Sequence, residues 1–124
     1  MSEKIKLSCQ VLEVGDRYQD FLSEGMILLF PAETVMTQIK NYSLMVSKMV
    51  LQSDIELGDT LSIGSSEFKI TDVGHLVNSN IEQIGHFTIK VENKDQAKLP
   101  GTLYIEPTIL NEIKVGEKII IRGE

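Results

Sequence analysis

Apolar and polar residues alternate along Lys4–Val14: Ile5, Leu7, Cys9 and Val11 share one face, and Lys6, Ser8 and Gln10 share the other. That is the two-residue period of a half-buried strand, and a helix does not produce it. The period returns in Phe68–Val73, Phe87–Val91 and Thr102–Ile105, each set off by glycine or proline. Met26–Phe30 is a short continuous apolar run and reads as a buried strand. Two further segments echo each other. Ile55–Gly64 contains Gly58-Asp59 before an apolar stretch, and Ile113–Ile121 contains Gly116-Glu117 before another. Each reads as a glycine–acid turn that launches a strand, with the acid free to accept a bond from a nearby backbone N–H. The echo is too short for a repeat-protein period. Gly64-Ser65-Ser66 reads as a hairpin turn.

Helical signals are few. Asp16–Glu24 suits a short helix, with Asp16 as N-cap and Tyr18, Phe21 and Leu22 facing inward. Pro31 stands where a second helix begins. Val35, Met36, Ile39 and Tyr42 recur at helical spacing, which predicts an amphipathic helix over Ala32–Asn41. Ser43–Gln52 reads as extended, with Leu44, Val46 and Val50 on one face, although Met45 and Met49 also fit a helical one. A single helical turn is expected around Asn80–Ile84, and a polar loop over Asn93–Leu99. The fold class is therefore all-β, a small barrel-like domain of about seven or eight strands with one or two short helices. Closure would remove the edge strands that invite aggregation. One domain over residues 1–124 is expected, because no Gly/Ser- or Pro-rich linker divides the chain. Its core should hold Ile5, Leu7, Val11, Ile27, Leu29, Leu61, Ile63, Phe68, Ile70, Phe87, Ile89, Leu103, Ile105, Ile119 and Ile121.

Composition excludes several functions. With 12 basic and 18 acidic residues, a net charge of −6 and no basic cluster, the chain is a poor nucleic-acid binder. No apolar run approaches the roughly 20 residues of a membrane span, and the N-terminus lacks the apolar core of a secretory signal. One cysteine, Cys9, excludes an internal disulfide, a Cys-x-x-Cys pair and a thiolate zinc site, which suits a cytoplasmic setting. Cys9 lies on the apolar face of the first strand and reads as an inert buried thiol. No Walker A loop, Gly-x-Gly-x-x-Gly or Gly-x-Ser-x-Gly motif occurs, and no metal-ligand spacing, so no cofactor or metal is expected. Two histidines remain, Gly74-His75 and Gly85-His86. Either could act as a nucleophile or a proton carrier, or simply satisfy hydrogen bonds at a strand edge.

A larger pattern joins these pieces. Lys69-Ile70-Thr71-Asp72-Val73-Gly74 is followed by Asn80–Gly85, then His86-Phe87-Thr88-Ile89-Lys90-Val91, then Leu99-Pro100-Gly101-Thr102-Leu103-Tyr104-Ile105. This order resembles the glucitol/sorbitol-specific IIA component of the bacterial phosphoenolpyruvate-dependent phosphotransferase system, over nearly the whole chain. The resemblance implies a small cytoplasmic β-barrel. It implies that a histidine takes a phosphoryl group from the phosphocarrier HPr and hands it to the IIB unit, for polyol entering through the IIC transporter. In such a step a neutral imidazole attacks phosphorus in line while its other nitrogen is held.

One departure matters. By the resemblance, the phosphoacceptor position falls near Val46, within Tyr42-Ser43-Leu44-Met45-Val46-Ser47-Lys48, and no histidine occurs between residues 1 and 74. Valine has no lone pair. Three readings stay open: a member whose phosphoryl role has moved to His86, which matches a family position, or to His75, which does not; a non-catalytic paralogue acting as a regulatory or protein-interaction barrel; or an unrelated barrel. Ser43 and Ser47 would supply hydroxyls, and Lys48 a positive charge, around residue 46. The sequence leaves the oligomeric state open.

Overall fold

A computed structural model describes residues 3–33, 36–93 and 98–124. Eight described strands close into a barrel: β1 (Lys4–Val14), β2 (Met26–Pro31), β3 (Ser43–Val46), β4 (Thr60–Ile63), β5 (Ser66–Val73), β6 (Phe87–Val91), β7 (Thr102–Ile105) and β8 (Lys118–Gly123). Three short helices connect them, one more than the upper expectation: α1 (Tyr18–Leu22), α2 (Thr37–Lys40) and α3 (Val77–Gln83). Around the barrel the strands run β1-β3-β2-β6-β7-β5-β4-β8 and return to β1. The pairs β2–β3 and β6–β7 are parallel, and the other six are antiparallel.

The expected core is buried at every position except Ile5, which is 51% exposed. The ladder between β1 and β8 slips between Ile5 and Leu7. The extra residue of this bulge turns Ile5 outward and sends Lys6 inward, where it is 1% exposed. There Lys6 Nζ donates to Asp59 Oδ2 at 2.8 Å and to Glu56 Oε1 at 3.2 Å. Burial alone would lower its pKa, but the bonds to these carboxylates outweigh that and raise it.

Other expectations are corrected. Asp16 is not the cap of α1. The helix starts at Tyr18 with Arg17 in the cap position and no side-chain cap; the Arg17 N–H instead donates to the Asn41 carbonyl at 2.7 Å. Tyr18 is buried, while Phe21 and Leu22 are half-buried. Pro31 does not begin a helix; it ends β2, opposite Val46. Among the described residues of the expected Ala32–Asn41 helix only Thr37–Lys40 are helical, and Met36 is exposed. Val35 lies outside the described residues, as does most of the 93–99 loop. The expected strand over Ser43–Gln52 stops at Val46, and Val50 is exposed.

The echo between the two glycine–acid turns proves to be the visible part of a longer correspondence. The Asp59 carboxylate accepts from Glu56 N–H at 2.8 Å, and the Glu117 carboxylate accepts from Lys114 N–H at 2.7 Å. Gly58 N–H donates to the Ile70 carbonyl, and Gly116 N–H to the Val11 carbonyl. Apart from α2, the order β1-α1-β2-α2-β3-β4 in the first half is repeated as β5-α3-β6-β7-β8 in the second. The ladders match as well. Val11 faces Val46 before a bulge, and Ile70 faces Ile105 before a bulge. Leu29 faces Leu44, and Ile89 faces Leu103. Exchanging the halves leaves the strand order unchanged, so the barrel is pseudo-two-fold. The halves are interlocked. β4 pairs only with β5 and β8, and β8 pairs only with β1 and β4. The Tyr18 hydroxyl bonds the backbone of Ile113, and the Asn78 amide bonds the backbone of Ile55. α1 and α3 thus each fasten a loop of the opposite half.

The two-fold places Gly15 and Gly74 in the same role. A Cβ on Gly15 would overlap the carbonyl oxygens of Lys40 and Asn41, and one on Gly74 would overlap those of Pro100 and Leu99. Backbone held by neighbouring strands has little room to retreat. Gly15→Ala and Gly74→Ala are each expected to cost about 1–3 kcal/mol, read as a lower urea midpoint. Retention of wild-type midpoints by both would show that the strand ends yield.

Candidate functional site

The parallel strands β2 and β3 end side by side at Pro31 and Val46. Beyond their ends the chain turns away on both sides, and α3 lies across the gap. The result is a groove of about 550 Å³ lined by Leu12, Pro31, Ala32, Val46, Ser47 and Met49, with Ile81 and Gly85 from the α3 side. Three charged residues, Glu33, Lys48 and Glu82, complete its lining. Val46 is 1% exposed and belongs to the core. Its carbonyl accepts from Ala32 N–H at 3.2 Å, which ties the two strand ends together. Ser47 is fastened to β1: its N–H donates to the Gln10 carbonyl at 2.9 Å and its Oγ accepts from Gln10 N–H at 2.9 Å. The hydroxyl proton of Ser47 is left over for a ligand. Ser43 does not serve in this way, because it is buried and its Oγ donates to the Ile39 carbonyl at 2.7 Å.

His86 stands just outside the groove, next to Gly85. Its ring stacks on Phe30, with centroids 4.4 Å apart and planes at 26°. Partial burial lowers its pKa, so the neutral imidazole dominates at pH 7 and a nitrogen lone pair is present. Among the described residues neither ring nitrogen has a hydrogen-bond partner to fix its tautomer. His75 is exposed in the turn before α3 and does not line the groove. The structure therefore brings Val46, Ser47, Lys48 and Gly85 together, sets His86 at the margin and leaves His75 apart. Cys9 is buried, and burial pushes its thiol up to about 12, as suits an inert core residue.

Sequence reasoning missed the far wall of the groove. Ile81 and Glu82 come from a helix more than thirty positions after Val46, and no local pattern links them. The pseudo-two-fold does. The counterparts Leu22, Ser23 and Gly25 line a second groove of about 340 Å³ with Thr108, Ile109 and Leu110. Both concavities follow from the fold, so concavity alone does not mark function; the residues in each do.

The comparisons with known proteins bear on the first groove. Residues 6–120 match the family model described as the PTS system glucitol/sorbitol-specific IIA component. The chain is 24% identical over 106 residues to glucitol/sorbitol-specific EIIA components of Shigella flexneri and of Escherichia coli (strain K12). Each alignment covers 86% of this chain and 85% of the relative. A crystal structure of a PTS system IIA component from Enterococcus faecalis V583 superposes with a TM-score of 0.76 at 30% identity, covering 90% of this chain and 96% of that one.

Proposed function

The chain belongs to the glucitol/sorbitol-specific IIA family of the phosphotransferase system, and on that premise we propose that it works in the cytoplasm as one IIA unit that meets HPr and a IIB partner at the Val46 groove, without carrying phosphate on residue 46. The observation that carries this reading is Val46 itself. The position to which the resemblance assigns the acceptor lies on the groove floor, and its side chain has no lone pair to attack phosphorus. Ser47 and Lys48 beside it offer a hydroxyl donor and a charge, which suit binding of an anionic partner surface more than they suit chemistry.

A second reading rests on His86. Its neutral ring has the lone pair that Val46 lacks. Transfer would form a bond from an imidazole nitrogen to phosphorus as the bond to the HPr histidine breaks, and the His86 ring proton would go to solvent. The stack on Phe30 and the lack of a partner for the second nitrogen weigh against a fast step.

The experiment mixes the protein with enzyme I, HPr and labelled phosphoenolpyruvate. Label well below one phosphate per chain is expected, with the residue abolished by His86→Ala and untouched by His75→Ala. HPr binding, measured by calorimetry, should persist. Stoichiometric acid-labile label that survives both substitutions together would overturn both readings.

A further inference from the structure

The two halves of the barrel are joined covalently only by Gly64-Ser65, the turn between β4 and β5. All else that holds them is non-covalent: the ladders β1–β8, β4–β8, β4–β5 and β2–β6, and the Tyr18 and Asn78 fastenings. Neither half completes a sheet alone, because β4 lies wholly within the other half's ladders and β8 does the same in return. Any second half that presents the same edges would serve as well as the chain's own.

We propose that this chain exchanges halves with a second copy, residues 3–63 of one closing a barrel with residues 66–124 of the other, with Gly64-Ser65 as the hinge. The contacts of the closed monomer and of the exchanged dimer are then the same except at the hinge. The balance is set by hinge conformation against the entropy of association. Gly64 holds the balance toward monomer, since its φ of +58° lets the chain reverse in two residues. Both grooves survive exchange, but each becomes shared. Leu12, Pro31, Val46 and Ser47 come from one copy, and Ile81 and Gly85 from the other. The proposal is independent of what the groove binds.

The test alters the hinge in the full chain. A valine cannot sit comfortably at positive φ, and its Cβ would meet the Glu117 carboxylate. Gly64→Val should therefore open the turn and give a particle of twice the monomer mass by light scattering, with an unchanged circular dichroism spectrum. Gly58→Val strains a glycine with φ of +96° inside the first half and should remain monomeric. A cysteine pair distinguishes exchange from sticking. Ser8 and Ile120 face each other across β1 and β8, one in each half. Oxidised Ser8→Cys/Ile120→Cys should run as a monomer on a non-reducing gel with the native hinge and as a covalent dimer with Gly64→Val. Native Cys9, buried with its thiol pKa raised, stays out of the reaction.

A folded Gly64→Val monomer would overturn the proposal, as would a dimer whose chains separate on the non-reducing gel. Should Gly64→Val fail to fold, the cysteine pair in the native hinge decides the matter. Refolding from urea at millimolar protein, followed by oxidation, should give many more covalent dimers than refolding at micromolar protein. Equal fractions at both concentrations would reject exchange.

Discussion

Val46→His is expected to convert a chain that takes up little phosphate into one labelled from phospho-HPr at a readily measured rate. An imidazole at residue 46 would enter the groove floor with the Ser47 hydroxyl and the Lys48 ammonium nearby. The gain should remain well below the rate of a natural family member, because a catalytic ring depends on supporting groups placed to within about 0.5 Å. Neighbouring positions supply the controls. Met45 is buried and does not line the groove, so Met45→His should not label. Ser47→His would lose the bond that Ser47 Oγ accepts from Gln10. A cost is expected too. Val46 is fully buried, and a larger ring with an unpaired nitrogen should lower stability by about 1–3 kcal/mol. Thermal melting and phosphate uptake are therefore measured on the same samples. A folded Val46→His that takes up no label would mean that residue 46 is not the acceptor position.

Asp59→Ala is expected to be the most damaging single change to the buried ion pair that Lys6 makes with Asp59. Lys6 is 1% exposed, and Asp59 Oδ2 is its nearer partner. Removing that carboxylate leaves a buried ammonium with only Glu56, whose side chain is 70% exposed and hence weakened by solvent. The loss should be about 3–5 kcal/mol, and Glu56 holds it toward the lower end. It also removes the acceptor for Glu56 N–H. Lys6→Met in the same chain should restore much of the stability, since the uncompensated charge is then gone.

The pH dependence has a definite sign. The folded pKa of Lys6 is raised above its ordinary 10.5. Its favourable contribution is therefore complete below that value and is lost as pH rises through the raised folded pKa. In Asp59→Ala burial dominates and the folded pKa falls. The penalty is then full at neutral pH and is relieved as the ammonium loses its proton. The gap in urea midpoint between the two proteins should begin to narrow below pH 10.5, as the pH passes the lowered pKa of the variant, and go on closing into strong alkali. A gap under about 1 kcal/mol at neutral pH would show that Lys6 finds water in the variant.

The strands were legible because a barrel buries one face of each strand, which writes a two-residue period into the chain. Phe87–Val91 and Thr102–Ile105 were read to their last residue for that reason. Ile5 was misplaced because a bulge shifts the period by one without changing residue type. β3 was blurred because all four of its residues are buried: α2 packs against it, and alternation vanishes when both faces are covered. The helices were hard to bound because elements of four to seven residues hold too few turns for a periodic signal. The internal duplication was nearly silent. Tyr18 corresponds to Val77, and Ser47 to Glu106, yet the backbone bonds they accompany are the same. Equivalence kept by main-chain geometry leaves no residue signature. The candidate site was legible at Val46 through family resemblance alone, while its far wall is a product of long-range packing.

The interlocking of the halves also constrains how the protein is made. Of the eight described strands β1 is made first, and it waits for its longest ladder until β8 has been synthesised. β4 emerges midway through translation with neither of its partners yet available. A nascent chain therefore carries unpaired apolar strands until β8 has emerged, and the barrel can close only then. With pairings this distant in sequence, closure belongs to the slow class of topologies, on the order of milliseconds to seconds. The residues of β8, which line neither of the two grooves described above, are thus the ones whose arrival decides whether the rest becomes a protein or an aggregate.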